Sequence, residues 1–168
     1  MVSVLKSVSI LGSTGSVGKN TLEVLSSLSE RFSLYGISCN QNIVLLYDQI
    51  TKYKPTIAVI TDKKKYTEFV HQHGHRIGDT DILYGEEGLN EISSQKVVDI
   101  VVAAIVGFTC LRPVINAITS NKTIIIANKE ILVSAGELII SSLKKSKARL
   151  LPVDSEHNAL LQVILSSG

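Results

Sequence analysis

With 168 residues, 45% of them hydrophobic, the chain has the size of one domain and enough apolar side chains to bury a core, so the composition does not suggest disorder. Its formal charge of +2, from 17 basic and 15 acidic residues, is too balanced to imply nucleic acid by itself. Apolar runs such as Val97 to Val106 are too short to cross a bilayer or contain a charge, and the first six residues lack a signal-peptide layout. Cys39 and Cys110 sit in no paired motif, so a soluble, cytoplasmic protein without membrane or nucleic-acid partners is expected.

Strand-like apolar runs alternate with amphipathic stretches along the whole chain, which predicts an α/β fold built as a doubly wound parallel sheet of the Rossmann-like kind. Strands are expected near 7–11, 32–38, 56–60, 97–104, 123–127 and 149–153. Helices are expected near 17–28, 43–53, 64–72, 85–94, 111–120 and 131–146, with a final one from 156 onward. The stretch from His71 to Gly85, punctuated by Gly74, Gly78 and Gly85, reads as irregular.

The first strand runs through Ile10-Leu11 into Gly12-Ser13-Thr14-Gly15-Ser16-Val17-Gly18 and then into a helix. In such a turn Gly12 permits the tight bend, Gly15 lets a pyrophosphate approach the backbone, and Gly18 lets the helix pack on the strand. The spacing is GxxGxxG rather than the commoner GxGxxG. A dinucleotide phosphate, another phosphate ligand and a plain strand-to-helix turn all fit it.

At the end of the second strand a dinucleotide site faces the adenosine ribose, where an NAD-type site carries Asp or Glu. Here Ser38-Cys39-Asn40-Gln41-Asn42 is neutral, which removes repulsion against a 2′-phosphate without supplying a cation and leans towards NADP. Lys63-Lys64-Lys65 and Lys144-Lys145 read as solvated helix ends. His71, His73 and His75 form an HxHxH pattern, but no Cys or carboxylate lies at useful ligand spacing.

All strand ends of a parallel sheet point one way, so two later loops open on the same crevice as the glycine turn. After Thr123–Ile126 comes Ala127-Asn128-Lys129-Glu130, in which Lys129 can ground a phosphate, carboxylate or hydroxyl, Asn128 can bond a sugar or amide, and Glu130 can cap the next helix. A solvated loop with a capping Glu fits the spacing equally. In Asp154-Ser155-Glu156 the first carboxylate ends a strand and the second begins a helix, so both can enter the crevice as hard oxygen ligands for Mg²⁺ or Mn²⁺. The competing role is helix capping by Asp154 with Glu156 complementing the dipole. His157 adjoins that pair. Ala159, Leu160, Val163 and Ile164 form an apolar helix face that either docks on the sheet or meets further chain.

Together, Leu11 to Gly18, Ala127 to Glu130 and Leu151-Pro152-Val153-Asp154-Ser155-Glu156-His157-Asn158-Ala159 resemble the 1-deoxy-D-xylulose 5-phosphate reductoisomerase family, as does Asp99 to Gly107 between them. The resemblance implies an NADPH-binding domain over 1–150, with the start of a catalytic, metal-binding domain at 151–168. It implies conversion of a phosphorylated keto-sugar, 1-deoxy-D-xylulose 5-phosphate, to 2-C-methyl-D-erythritol 4-phosphate for isoprenoid synthesis, with NADPH and Mg²⁺, Mn²⁺ or Co²⁺. Gly12, Thr14, Gly15, Ser16, Val17, Gly18, Asn42, Asn128 and Glu130 would then hold the cofactor. Lys129, Ser155 and Glu156 would act on substrate, and Asp154 and Glu156 would ligate metal. The family usually has Gly-Lys-Asn where this chain has Asn40-Gln41-Asn42, so only Asn42 carries over there. Because the family continues well past this length, the chain is expected to be an inactive N-terminal portion of a homodimeric enzyme. Another NADP-dependent reductase and a stand-alone NADP-binding domain are the alternatives.

Overall fold

The computed structural model describes residues 5–127 and 129–153. In chain order its elements are β1 (Lys6–Leu11), α1 (Ser16–Ser27), β2 (Phe32–Cys39), α2 (Ile43–Tyr53), β3 (Ile57–Ile60), α3 (Lys63–His73), β4 (Arg76–Ile77) and β5 (Thr80–Tyr84). There follow α4 (Gly85–Ser94), β6 (Ile100–Ala103), a 3₁₀ turn (Phe108–Cys110), α5 (Leu111–Thr119), β7 (Thr123–Ile126), α6 (Lys129–Lys144) and β8 (Arg149–Pro152). The helix expected from 156 onward lies outside the described residues.

The strands form one sheet in the order β4-β5-β3-β2-β1-β6-β7-β8. Every neighbouring pair is parallel except β4 and β5. Alternation along the strands divides the core into two layers, because successive side chains leave a strand on opposite faces. Ile100, Val102 and Ile125 pack with Leu22 and Leu25 of α1, Leu46 and Ile50 of α2, and Phe69 of α3. Val101, Ala103, Ile124 and Ile126 pack with Leu89 and Ile92 of α4, Val114 and Ile118 of α5, and Ile131 and Ile139 of α6. Each fully buried aliphatic side chain of this kind contributes about 1.5–3 kcal/mol of transfer free energy. Strand runs that are apolar on both faces are what helices on both faces require.

The stretch expected to be irregular, 71–85, instead holds the β4–β5 hairpin. Arg76 pairs with Asp81 and Ile77 with Thr80, leaving Gly78-Asp79 as a two-residue turn. Gly78 takes a positive φ of 57°, the conformation such hairpin turns demand. β5 then joins the sheet beside β3, and the buried Thr80 hydroxyl donates to the Pro55 carbonyl at 2.5 Å. The strand expected over 97–104 is shorter because Val97 is left 55% exposed before the chain enters the sheet. α6 starts two residues ahead of expectation and bends at Ala135, whose φ of −126° is not helical.

Strand order reverses around β1: the chain proceeds outward through β2 and β3, then returns to β6 on the other side. The C-terminal ends of β2, β1 and β6 therefore flank a topological switch point, the place where open α/β sheets bind ligands.

Candidate functional site

The glycine turn sits at this switch point and is tightly fixed. Gly12 has φ 90°, and a Cβ there would meet the Ala104 carbonyl at 3.0 Å, so the turn runs against the end of β6. A Cβ on Gly18 would fall 2.3 Å from the Gly12 carbonyl oxygen, which is how α1 packs onto the turn that precedes it. Gly15 differs. Its φ of −75° suits any residue, and a Cβ would meet only the Gly12 oxygen at 3.6 Å, an ordinary contact. The space over Gly15 is thus open towards the cleft, as a phosphate cradle requires.

Gly15 is also the N-cap of α1, with no side-chain cap bond and no acidic residue in the first turn. Exposed Ser16 and half-buried Val17 open the helix, so the positive end of its dipole carries no competing carboxylate from its own first turn.

Beneath the turn lies a polar strut that the sequence reading missed. The Ser13 hydroxyl donates to Gln49 Oε1 at 2.6 Å, and Gln49 Nε2 donates back to the Ser13 carbonyl at 2.9 Å. The Ser13 amide donates to the Ser38 carbonyl at 2.8 Å, and the Gly12 amide to Ser38 Oγ at 2.9 Å. Ser13 and Ser38 are fully buried and Gln49 nearly so. The turn is tied in this way to β2 and α2. The only sequence signal was a polar Gln49 on an otherwise apolar helix face.

A cleft of about 270 Å³ opens above, lined by Gly12, Thr14, Gly15, Cys39, Asn40, Thr61, Ala104, Ile105, Val106 and Thr109. Of the cofactor residues expected from sequence, Gly12, Thr14 and Gly15 line it directly. Asn40, Thr61, Ala104, Ile105, Val106 and Thr109 are additional. They sit where β2, β3 and β6 end, and the contribution of the β3 end is legible only once strand order is known. Asn42 is the N-cap of α2, its side-chain oxygen accepting from the Leu45 amide at 3.1 Å. Glu130 lies in the first turn of α6, with Oε2 4.0 Å from where a Gly107 Cβ would stand, on the β6 side of the crevice. Lys129 opens α6. Asn128, Asp154, Ser155 and Glu156 lie outside the described residues.

Burial pushes the Cys39 thiol up to about 12, so it faces the cleft as a neutral, unreactive group. The histidine pattern is occupied by aromatic contacts. His73 stacks on Tyr47 with ring centroids 4.3 Å apart, and His75 Nδ1 lies 3.2 Å from the Tyr66 hydroxyl.

Strand order, glycine turn and cleft define the chain as a doubly wound Rossmann-like domain with an open glycine turn at its switch point. The sequence profile of the family described as 1-deoxy-D-xylulose 5-phosphate reductoisomerase matches residues 8–136. The chain belongs to this family. It is 41% identical over 160 residues to the 1-deoxy-D-xylulose 5-phosphate reductoisomerase of Clostridium kluyveri, covering 95% of this chain and 42% of that protein. With the reductoisomerase of Wigglesworthia glossinidia brevipalpis it shares 42% over 159 residues, 94% of this chain and 40% of that protein. The chain spans about two-fifths of the length of these relatives.

Among solved structures, the Zymomonas mobilis reductoisomerase in complex with NADPH superposes with a TM-score of 0.84 at 34% identity, over 95% of this chain and 41% of that one. A reductoisomerase complex with NADPH, fosmidomycin and magnesium gives a TM-score of 0.84 at 38% identity, over 92% and 38%. A homoserine dehydrogenase from Thiobacillus denitrificans, at TM-score 0.53 and 21% identity, shares the fold alone.

Proposed function

We propose that the chain carries the NADPH-binding part of an enzyme that rearranges 1-deoxy-D-xylulose 5-phosphate and reduces it to 2-C-methyl-D-erythritol 4-phosphate with a divalent cation. The observation that carries this reading is the open cradle at Gly15, with no Cβ over it and no carboxylate in the first turn of α1, at the switch point of a chain of this family. NADPH and magnesium in the relatives' structures support it.

The roles follow from the chain's own groups. Gly12, Gly15 and Gly18 shape the turn so that the pyrophosphate lies against Thr14, Gly15, Ser16 and Val17 at the N-terminus of α1. The Ser13–Gln49–Ser38 strut holds those amides in place before the cofactor arrives, which limits the ordering cost of binding. Ala104, Ile105 and Val106 at the end of β6 form the less polar wall on the side of Glu130, and Asn128 is assigned to the cofactor by family resemblance. Asn42 flanks the adenosine end. Bound NADPH supplies the hydride that reduces the rearranged aldehyde.

Lys129, Ser155 and Glu156 are assigned to the phosphorylated substrate, where a lysine ammonium meets developing oxyanions. Asp154 and Glu156 offer two hard oxygen ligands to Mg²⁺, Mn²⁺ or Co²⁺, a set that further ligands from protein, water or substrate must complete. The full-length protein is assigned a cytoplasmic location and a homodimeric state.

Steady-state NADPH oxidation by the full-length protein tests the reading. Oxidation should require both 1-deoxy-D-xylulose 5-phosphate and a divalent cation, stop with chelator, and fall by orders of magnitude in Lys129→Ala without a matching loss of NADPH affinity. Turnover of homoserine or of aspartate semialdehyde instead would overturn it.

A further inference from the structure

The end of β2 faces the adenosine ribose but supplies no cation for a 2′-phosphate: Ser38 to Asn42 are all uncharged at neutral pH. Cations stand instead at the end of the neighbouring strand. β3 lies beside β2 in parallel, with Cys39 opposite Ile60, so the residues that follow each strand emerge side by side. Thr61 and Asn40 both line the cleft, and they are joined by a 3.3 Å hydrogen bond from Thr61 Oγ1 to Asn40 Oδ1. The Thr61 amide also donates to the Cys39 carbonyl at 3.0 Å, which locks the two exits together. Two residues beyond Thr61, α3 begins with Lys63-Lys64-Lys65.

These three lysines are not equivalent. Lys65 is held by Glu68 at 2.8 Å. Lys63 and Lys64 are exposed, and among the described residues no acidic group pairs with either. They stand at the positive end of the helix dipole, in a first turn that contains no acid. The Asp62 carboxylate is committed to capping, its Oδ1 accepting from the Lys65 amide at 2.8 Å. Two like charges at the positive end of a helix are unfavourable, and an anion held beside them would offset that repulsion.

We infer that Lys63 and Lys64 are the specificity-determining cations of this chain, pairing with the 2′-phosphate of the dinucleotide while Asn40 and Thr61 line the ribose end of the cleft. The inference rests on the proposed dinucleotide site and goes beyond it by assigning the NADPH-over-NADH preference to the β3–α3 turn. The charge comes from a different strand end than the one that usually reads the ribose.

The test is paired titration of the intact chain with NADPH and with NADH, for wild type, Lys63→Ala/Lys64→Ala and Lys63→Arg/Lys64→Arg, with circular dichroism confirming the fold. Wild type should prefer NADPH, and the alanine pair should lose tenfold or more in NADPH affinity while NADH changes less than twofold. The arginine pair should retain the preference. An unchanged NADPH-to-NADH ratio in the alanine pair, or equal weakening of both cofactors, overturns this assignment and leaves the dinucleotide site standing. Failure of wild type to bind either cofactor overturns the site itself and this inference with it.

Discussion

Gly18 lies so close to Gly12 that a Cβ on it would stand 2.3 Å from the Gly12 carbonyl oxygen and 2.5 Å from Ser13 Cα. Both obstacles are backbone atoms, and Gly12 is itself pressed against the Ala104 carbonyl, so neither the turn nor the helix can give way cheaply. Gly18→Ala should lower unfolding stability by about 3 kcal/mol, the upper part of the usual overpacking range. Gly15→Val, at a permitted φ of −75° and with an ordinary contact for its Cβ, should cost about 1 kcal/mol, the usual loss when a favoured N-cap residue gives way to a poor one and well short of Gly18→Ala. Urea denaturation of the two variants checks both values. Equal losses would mean that the three glycines serve one purpose.

Gln49→Leu keeps the volume of α2's inward face but removes the donor to the Ser13 carbonyl and the acceptor for its hydroxyl. A buried carbonyl left without its donor costs about 1–3 kcal/mol. The variant should unfold earlier in urea and bind NADPH more weakly, since the turn loses its tie to α2. Lost stability with unchanged affinity would confine the strut to folding.

Ser9 poses the opposite case. It is fully buried in β1, and its hydroxyl has no hydrogen-bond partner among the described residues. Ser9→Ala removes an unsatisfied polar group from the core and should stabilise the chain by about 1 kcal/mol. A rise of roughly 2–4 °C in melting temperature is the expected readout for a domain of this size. A lower melting temperature would mean that the hydroxyl has a partner in solution.

Alkaline stability should depend on Cys39. Burial raises its thiol from the ordinary 9.0 to about 12, so the folded chain keeps a proton that the unfolded chain releases. The stability this supplies is complete below pH 9 and is lost as pH climbs towards 12. Tyr35, raised by its burial and by the Glu91 carboxylate, acts in the same direction. Lys122 is lowered by burial, against the opposing pull of Asp99, so its contribution runs the other way. Cys39→Ala should show a shallower fall in denaturation midpoint above pH 9 than wild type. Parallel curves would contradict this.

The layered α/β fold and its glycine turn were legible because they rest on short-range signals. Runs such as Ile57–Ile60 and Thr123–Ile126 are apolar on both faces, and Gly12, Gly15 and Gly18 sit at fixed offsets after such a run. The β4–β5 hairpin was signalled too, by Gly78-Asp79 between Ile77 and Thr80, but three glycines in fifteen positions masked a strand only two residues long. The rest of the cleft was not legible. Asn40 was expected at the ribose end, but Thr61 and Thr109 come from two further strand ends whose adjacency depends on the order β3-β2-β1-β6, and nothing local in the sequence encodes that order. The Ser13–Gln49 bond spans 36 residues and is equally invisible to pattern reading.

Equilibrium titration of the intact 168-residue chain with NADPH, followed by cofactor fluorescence and run beside Gly15→Val, tests the dinucleotide cradle most directly. Saturable binding of one NADPH per chain, lost in a Gly15→Val variant that retains wild-type circular dichroism, is the predicted result. A folded chain that does not bind NADPH, or a Gly15→Val variant that binds it as tightly as wild type, would contradict the account.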